Sequence, residues 1–516
     1  MASESINSPN NEFQDRGRQE SMASRQEGTP HAARGASATP TPLAWFPLGY
    51  REGFSQWWAS LPAATAEHRV LSYLPYLQHQ PPTHLQTGKT SDSPTGGSGS
   101  LQSADQTQEG EVSASSTNDP YGPRRWRSSM VELSGKNRAL NEFSVDRVGE
   151  EADQHLVMLH GYGAGLGFFY KNFEPLSRLK GWQLHALDLL GMGRSTRPSF
   201  RIKAKEREEA IKEAEAWFVD ALEEWRIKRK IDRFTLLGHS LGGYMAVAYA
   251  LKYPGRLNKL ILASPVGIPE DPNAVQAEMP APSESTMTNE LTQNQRNIAE
   301  EASSVPHSEL QKGDNNILLR GSPSGTTASQ DRPPRRMVPK WFAYLWDANI
   351  SPFTLVRWAG PLGPRLVSGW TSRRFSHLPA DEAKVLHDYS YSIFSMRGSG
   401  EYALSYILAP GAFARSPLIQ RIQGRENGLP VLFMYGDHDW MDVRGGLAAK
   451  AKLDEEKQRI LQGATVQEYQ ADNGSAKVVI IKNSGHHIYL DGWEEFNRIV
   501  LAEMEETARR ERAPSS

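Results

Sequence analysis

The pentapeptide Gly238-His239-Ser240-Leu241-Gly242 lies between an apolar run, Phe234-Thr235-Leu236-Leu237, and a helix-prone stretch from Tyr244 to Leu251. A G-x-S-x-G in that setting predicts a strand, a sharp turn and a helix, the local signature of a nucleophile elbow. Such a turn holds its serine in a strained backbone conformation and leaves no room for a Cβ at the flanking glycines. It lifts the serine Oγ above the sheet, and the helix N-terminus behind it favours developing negative charge. Ser240 is thereby the candidate nucleophile.

Composition narrows the chemistry further. The 516 residues include no cysteine, which excludes disulfides, thiolate metal sites and a cysteine nucleophile and suits a reducing compartment. The nucleophile must be oxygen. With 58 basic and 60 acidic residues the net charge is −2, so no global basic field points to nucleic acid, and no zinc-spaced ligand set is present. No metal and no cofactor is expected. No apolar run reaches the roughly 18 residues of a spanning helix, and the first 40 residues lack the apolar stretch of a secretory signal, so a soluble or peripheral protein is expected. Arg16, Arg18, Arg25 and Arg34 among serines are what a mitochondrial presequence would carry; Glu4, Glu12, Asp15, Glu20 and Glu27 run against one.

Low-complexity stretches rich in Ser, Gly, Pro, Gln and Glu mark residues 1–42, 83–118 and about 270–335 as expected disorder. Between the first two, residues 43–82 concentrate aromatics, among them Trp45, Phe46, Tyr50, Phe54, Trp57, Trp58, Tyr73 and Tyr76. Two readings stand side by side. The aromatics dock on a lipid surface, where Trp and Tyr favour the interface, or the segment is a helical arm packed on the core.

From about 119 onward the chain alternates strand-like and helix-like segments. Short apolar runs at Leu156–Leu159, Gln183–Leu187, Phe234–Leu237, Leu260–Ala263, Val431–Met434 and Val478–Ile481 read as parallel strands buried on both faces. The clearest helix runs from Ala204 to about Lys228. This alternation predicts an α/β fold, a mostly parallel doubly wound sheet with ligands at the carboxyl ends of its strands. Core segments at 119–265 and 416–510 would flank a cap at 266–415, inserted before the strand that carries the acid. The cap is expected to be helical where Trp341–Trp346, Phe353, Val356, Trp358, Leu366, Val367 and Trp370 fall. Those aromatics line a lipid-accepting lid or serve as ordinary core.

A serine nucleophile needs a base held in one tautomer by a carboxylate. Gly436-Asp437-His438-Asp439-Trp440-Met441-Asp442 follows one predicted strand and Asn483-Ser484-Gly485-His486-His487 follows the next, in the chain order Ser, Asp, His. His486 is the expected base, with His487 behind it. Asp439 is the expected acid, with Asp442 a competitor and Asp437 a lesser one. A metal set from Asp437, His438, Asp439, His486 and His487 is the alternative use of these residues. The oxyanion donors are expected to be the backbone N–H groups of Leu241 and of Tyr162, the latter in the loop His160-Gly161-Tyr162-Gly163-Ala164-Gly165. His160 is expected to organise that loop, and His155 and His185 to be structural. His486 also opens an H-x-x-x-x-D spacing to Asp491, an arrangement associated with acyltransferases. Asp491 equally opens Asp491-Gly492-Trp493-Glu494 before the last helix, and a capping box is the favoured reading.

Taken together, His160–Gly165, Asp188-Leu189-Leu190-Gly191-Met192-Gly193-Arg194-Ser195, Gly238–Gly243, Ala359-Gly360-Pro361-Leu362-Gly363-Pro364 and His486–Asp491 resemble the α/β-hydrolase subfamily of lipid-acting enzymes. That group contains a mitochondrial cardiolipin-specific deacylase, lysophospholipid and N-acyl-phospholipid lipases, and a lipid-droplet lipase coactivator. The resemblance spans about 119–265 and 336–510. It implies Ser240 as nucleophile, His486 as base, a phospholipid or lysophospholipid substrate and a peripheral lipid surface as partner. Cardiolipin deacylation at the mitochondrial inner membrane is the reading it favours. Lysophosphatidic acid acyltransfer, or a non-catalytic regulatory role at a cytoplasmic lipid droplet, is the alternative. Family members differ over whether the acid sits at Asp439 or Asp442.

Overall fold

The computed structural model describes residues 47–76, 112–115, 119–269, 346, 349–409, 413–422, 428–462 and 474–512. The stretches expected to be disordered fall largely outside the described residues, as do Trp45, Phe46 and Trp341–Leu345.

A nine-stranded sheet in the order β1-β2-β3-β5-β4-β6-β7-β8-β9 forms the spine. Its parallel part is β5 (Trp182–Leu187), β4 (Gln154–Leu159), β6 (Phe234–His239), β7 (Leu257–Ala263), β8 (Val431–Gly436) and β9 (Ala476–Ile481), which contain the six apolar runs. β6, β7 and β8 are buried along their whole length, as strands with helices on both faces must be.

The other three strands, β1 (Val112–Ser115), β2 (Arg124–Glu132) and β3 (Ala139–Arg147), are antiparallel and have no apolar run in sequence. Polar side chains occupy buried sites there because they are paired. Arg124 binds Asp119 and Glu174, and Glu142 binds His185 and Arg229. His155 joins the same group, 3.3 Å from His185.

Helices cover both faces. Those longer than one turn among the described residues are, in chain order, α1 (Tyr50–Ala59), α2 (Ala63–Leu71), α3 (Tyr170–Leu176), α4 (Arg207–Lys228), α5 (Leu241–Lys252), α6 (Pro352–Trp358), α7 (Gly363–Arg374), α8 (Ala380–Ser395), α9 (Val443–Leu461) and α10 (Trp493–Arg512). The cap, α6 to α8 with short turns after it, is inserted between β7 and β8, ahead of the strand whose loop carries Asp437, Asp439 and Asp442.

The aromatic arm is part buried and part exposed. α2 is core: Ala64, Ala66, Val70 and Leu71 are buried against α8. α1 lies on the cap, with Arg365 over the Tyr50 ring at 4.1 Å and the Gln56 amide donating to Asp388 at 3.0 Å. Its aromatics stay outside, Tyr50 being 70% and Trp58 76% exposed, and Phe54 is half exposed. The cap aromatics divide likewise. Trp346, Phe353, Val367 and Trp370 are buried, whereas Trp358 is 69% exposed and Leu366 is open to solvent. No described helix is long and apolar enough to cross a membrane.

Candidate active site

Ser240 sits between β6 and α5 with φ 52° and ψ −116°. That backbone conformation is rare for a side chain with a Cβ and persists only where its surroundings enforce it. Here they do: the Ser240 amide donates to the Ala263 carbonyl at 3.0 Å, and its carbonyl accepts from the Tyr244 amide at 3.1 Å. A Cβ on Gly238 would come within 2.3 Å of the Gly242 carbonyl oxygen, and one on Gly242 within 2.5 Å of the Leu159 oxygen. Glycine at both positions is a steric requirement of the turn.

His486 Nδ1 lies 3.0 Å from Asp439 Oδ1, both side chains buried. The same carboxylate oxygen accepts from the Met441 amide at 2.9 Å. With Nδ1 donating to the carboxylate, Nε2 is left as the acceptor, and it is buried with no hydrogen-bond partner among the described residues. The other two acids have different tasks. Asp442 is the N-cap of α9, accepting from the Arg444 amide at 2.9 Å and pairing with its guanidinium. Asp437 accepts from the Ser484 amide at 3.0 Å and from His438 Nδ1 at 2.8 Å, lacing the β8 loop to the β9 loop. Gly436 lets those loops touch, since a Cβ there would come within 2.1 Å of the Ser484 oxygen. Among the described residues no three such side chains are arranged to hold a metal ion.

His487 and His160 are held neutral by their surroundings. Arg374 Nε donates to His487 Nδ1 at 2.9 Å, so that nitrogen accepts and the proton stays on Nε2. Burial, with Arg374 beside it, holds His487 well below the ordinary histidine value. A ring in that tautomer has no free lone pair with which to take a serine proton. His160 donates through Nδ1 to the Gly161 carbonyl at 2.7 Å and accepts from the Leu189 amide at 3.1 Å. Burial brings it down to about 4, and its contacts tie the loop after β4 to the loop after β5.

Leu241 opens α5, where a first-turn amide has no intrahelical acceptor. Gly161 places the β4 loop directly against Ser240: a Cβ on it would come within 2.9 Å of the Ser240 Cβ. Tyr162 follows, its ring stacked on Phe353 of the cap at 4.9 Å.

The sequence model of the α/β hydrolase fold family matches residues 154–492. The chain belongs to the α/β-hydrolase family. Among its relatives in the family are a 1-acylglycerol-3-phosphate O-acyltransferase of Arabidopsis thaliana and a (lyso)-N-acylphosphatidylethanolamine lipase of Homo sapiens. The first is 32% identical over 388 residues, covering 74% of this chain and 72% of the relative. The lipase is 29% identical over 348 residues, 67% of this chain and 77% of the relative. The 1-acylglycerol-3-phosphate O-acyltransferase ABHD5 of Mus musculus is 30% identical over 383 residues, 73% of this chain and 84% of the relative.

Three features of this α/β-hydrolase site are not evident from motifs alone. His239, the variable residue of the elbow, donates through Nε2 to the His486 carbonyl at 3.0 Å, tying the serine turn to the histidine loop. Burial and the neighbouring His486 keep it well below the ordinary histidine value. Glu67 of α2 reaches Arg194 and Asn141, and Asp188 accepts from the Asn141 side chain and from the Leu166 and Arg194 amides. The arm thus braces the end of the Tyr162 loop. The third corrects the capping reading of Asp491. Its Oδ2 accepts from the Gly485 amide at 3.1 Å and its carboxylate pairs with Arg374 at 3.3 Å, while the Gly492 carbonyl starts α10 by accepting from the Phe496 amide.

Proposed function

We propose that the protein is a serine-dependent acyl hydrolase that removes a fatty acyl chain from a phospholipid at a lipid surface. The observation that carries this reading is the strained Ser240 turn beside a buried His486–Asp439 pair whose Nε2 is left open as an acceptor. His486 Nε2 takes the Ser240 proton as Oγ attacks the acyl carbonyl, and the imidazolium that forms is stabilised by Asp439. The Leu241 and Tyr162 amides donate to the oxyanion. The lysophospholipid leaves with the proton from His486, and water, deprotonated by the same histidine, releases the fatty acid from the acyl-enzyme.

The substrate class is supported by the relatives, whose names give lysophospholipid and N-acyl-phospholipid chemistry. Exposed aromatics on α1 and Trp358 on the cap support a peripheral lipid surface, since amphipathic rings favour the interface. Cardiolipin at the mitochondrial inner membrane is the specific substrate and place we propose. Acyl transfer is the second reading, favoured by the two acyltransferase relatives: a lysophosphatidic acid hydroxyl would replace water on the acyl-enzyme.

Lipid mass spectrometry of wild type and Ser240→Ala on mixed vesicles of cardiolipin, phosphatidylcholine and lysophosphatidic acid, with and without acyl-CoA, tests both. Serine-dependent fatty acid and monolysocardiolipin are expected. Phosphatidic acid formed without fatty acid release would move the assignment to transfer, and equal products from wild type and Ser240→Ala would overturn both readings.

A further inference from the structure

His486 is held from several sides. Asp439 takes Nδ1 and His239 takes the main-chain carbonyl, which leaves the amide of the preceding residue, Gly485. That amide donates to Asp491 Oδ2 at 3.1 Å, and Gly485 packs so closely that a Cβ on it would lie 3.2 Å from the same oxygen. The Asp491 side chain is 4% exposed and does not stand alone. Arg374 approaches it with Nη1 3.3 Å from Oδ1 and Nη2 3.5 Å from Oδ2, and His377 Nε2 lies 3.4 Å from Oδ1. The third arm of the same guanidinium, Nε, donates to His487. Arg374 is the last residue of α7, a cap helix, and His377 follows it, so one arginine fork grips two residues of the histidine loop from the cap.

We propose that Arg374 and Asp491 are a positioning pair, through which the seated cap fixes His486 in register with Ser240. The H-x-x-x-x-D spacing serves this clasp. His486 begins it, and the five-residue step returns Asp491 beneath the loop across the one-turn helix Ile488–Asp491. Both Asp491 oxygens are engaged by protein donors, and its role is to hold the residue before the base. Asn at 491, with its carbonyl oxygen at the Oδ2 position, would still accept from Gly485 and from Arg374; Ala would lose both.

This inference rests on His486 being the base for Ser240, and the test separates the two. Turnover of a soluble short-chain p-nitrophenyl ester by wild type, Ser240→Ala, Asp491→Ala, Asp491→Asn and Arg374→Gln is measured alongside the downfield NMR resonance of the His486 Nδ1 proton. Asp491→Ala and Arg374→Gln are expected to lose kcat by about 10- to 100-fold with KM unchanged, as for a base displaced by a fraction of an ångström. Asp491→Asn is expected to recover most of that loss, and the resonance to be broadened in the first two variants and kept in the third. A wild-type kcat and an unbroadened resonance in Asp491→Ala would overturn the clasp, as would a loss confined to acyl transfer onto lysophosphatidic acid. Equal turnover by wild type and Ser240→Ala would overturn the hydrolase reading alone, and the resonance would still decide the clasp. Should Asp491→Ala not fold, Arg374→Gln removes the grip from the cap side and carries the same comparison.

Discussion

Asp439 Oδ1 and His486 Nδ1 meet at 3.0 Å inside the protein, while Asp442, three residues further on, caps a helix with its side chain nearly half exposed. The two carboxylates therefore differ in kind. Asp439→Asn is expected to lower kcat on a soluble ester by about 10³- to 10⁴-fold, since the imidazole loses the partner that fixes its tautomer and stabilises its charge. Asp442→Ala is expected to leave kcat within a few-fold and to lower unfolding stability by about 1 kcal/mol, the loss of an N-cap. Steady-state kinetics and urea titration of both variants check this, and the reverse pattern would transfer the acid role to Asp442.

Glu67 makes a different argument, because it belongs to none of the motifs in sequence and meets one of them, at Arg194, only in the fold. Burial pushes its carboxyl up, and Arg194 and Asn141 oppose that shift. Removing one member of such a pair strands the other in the interior. Glu67→Leu and Arg194→Met are each expected to destabilise the protein by about 3–5 kcal/mol, and the Glu67→Leu/Arg194→Met double variant to regain much of the loss. Denaturant midpoints for the cycle measure the coupling. Additive single and double effects would mean that α2 does not brace the core through this pair.

The parallel strands, the elbow and the loops around Asp439 and His486 are legible in sequence because each obeys a local rule, a short apolar run followed by small and polar residues. β2 and β3 are not, since Arg124 and Glu142 look like surface residues until their partners from distant segments are known. Glu67 and Arg374 are hidden for the same reason. Each pairs across more than a hundred residues of chain, with Arg194 and Asp491, and no spacing rule links them. The role of Asp491 was obscured in the opposite way. Its local context, Asp-x-x-Glu before a helix, satisfies a capping rule that the tertiary pairing overrides.

The exposed face of α1 gives a separable test of the lipid-surface proposal. Phe54, Trp58 and Trp358 project into solvent, and none of them forms part of the site. Replacing all three with serine is expected to weaken binding to phospholipid vesicles by on the order of 100-fold, about 1 kcal/mol for each partly buried ring. Hydrolysis of a soluble ester and the thermal midpoint should stay as in wild type. Vesicle sedimentation reads the first quantity. Undiminished binding by the triple variant would remove these rings from the docking surface.

His387 links the cap to the arm and makes their contact sensitive to acid. It lies on α8, with Nδ1 2.8 Å from the Thr371 hydroxyl and Nε2 3.0 Å from Gln56 Oε1 on α1. Burial, with Lys384 adding to it, lowers its value to about 3. The sign follows from which state binds the proton first. An unfolded histidine takes one near pH 6.5, whereas the folded one stays neutral until about pH 3, so His387 subtracts stability as pH falls through that window. His387→Gln, which keeps one donor and one acceptor, removes this proton from the balance. Its stability relative to wild type is expected to rise on acidification below pH 6.5, by up to about 1.4 kcal/mol per pH unit. Parallel stability curves for the two proteins between pH 7 and pH 4 would show that His387 is protonated in the folded state, and with it that α1 does not seal the α8 face.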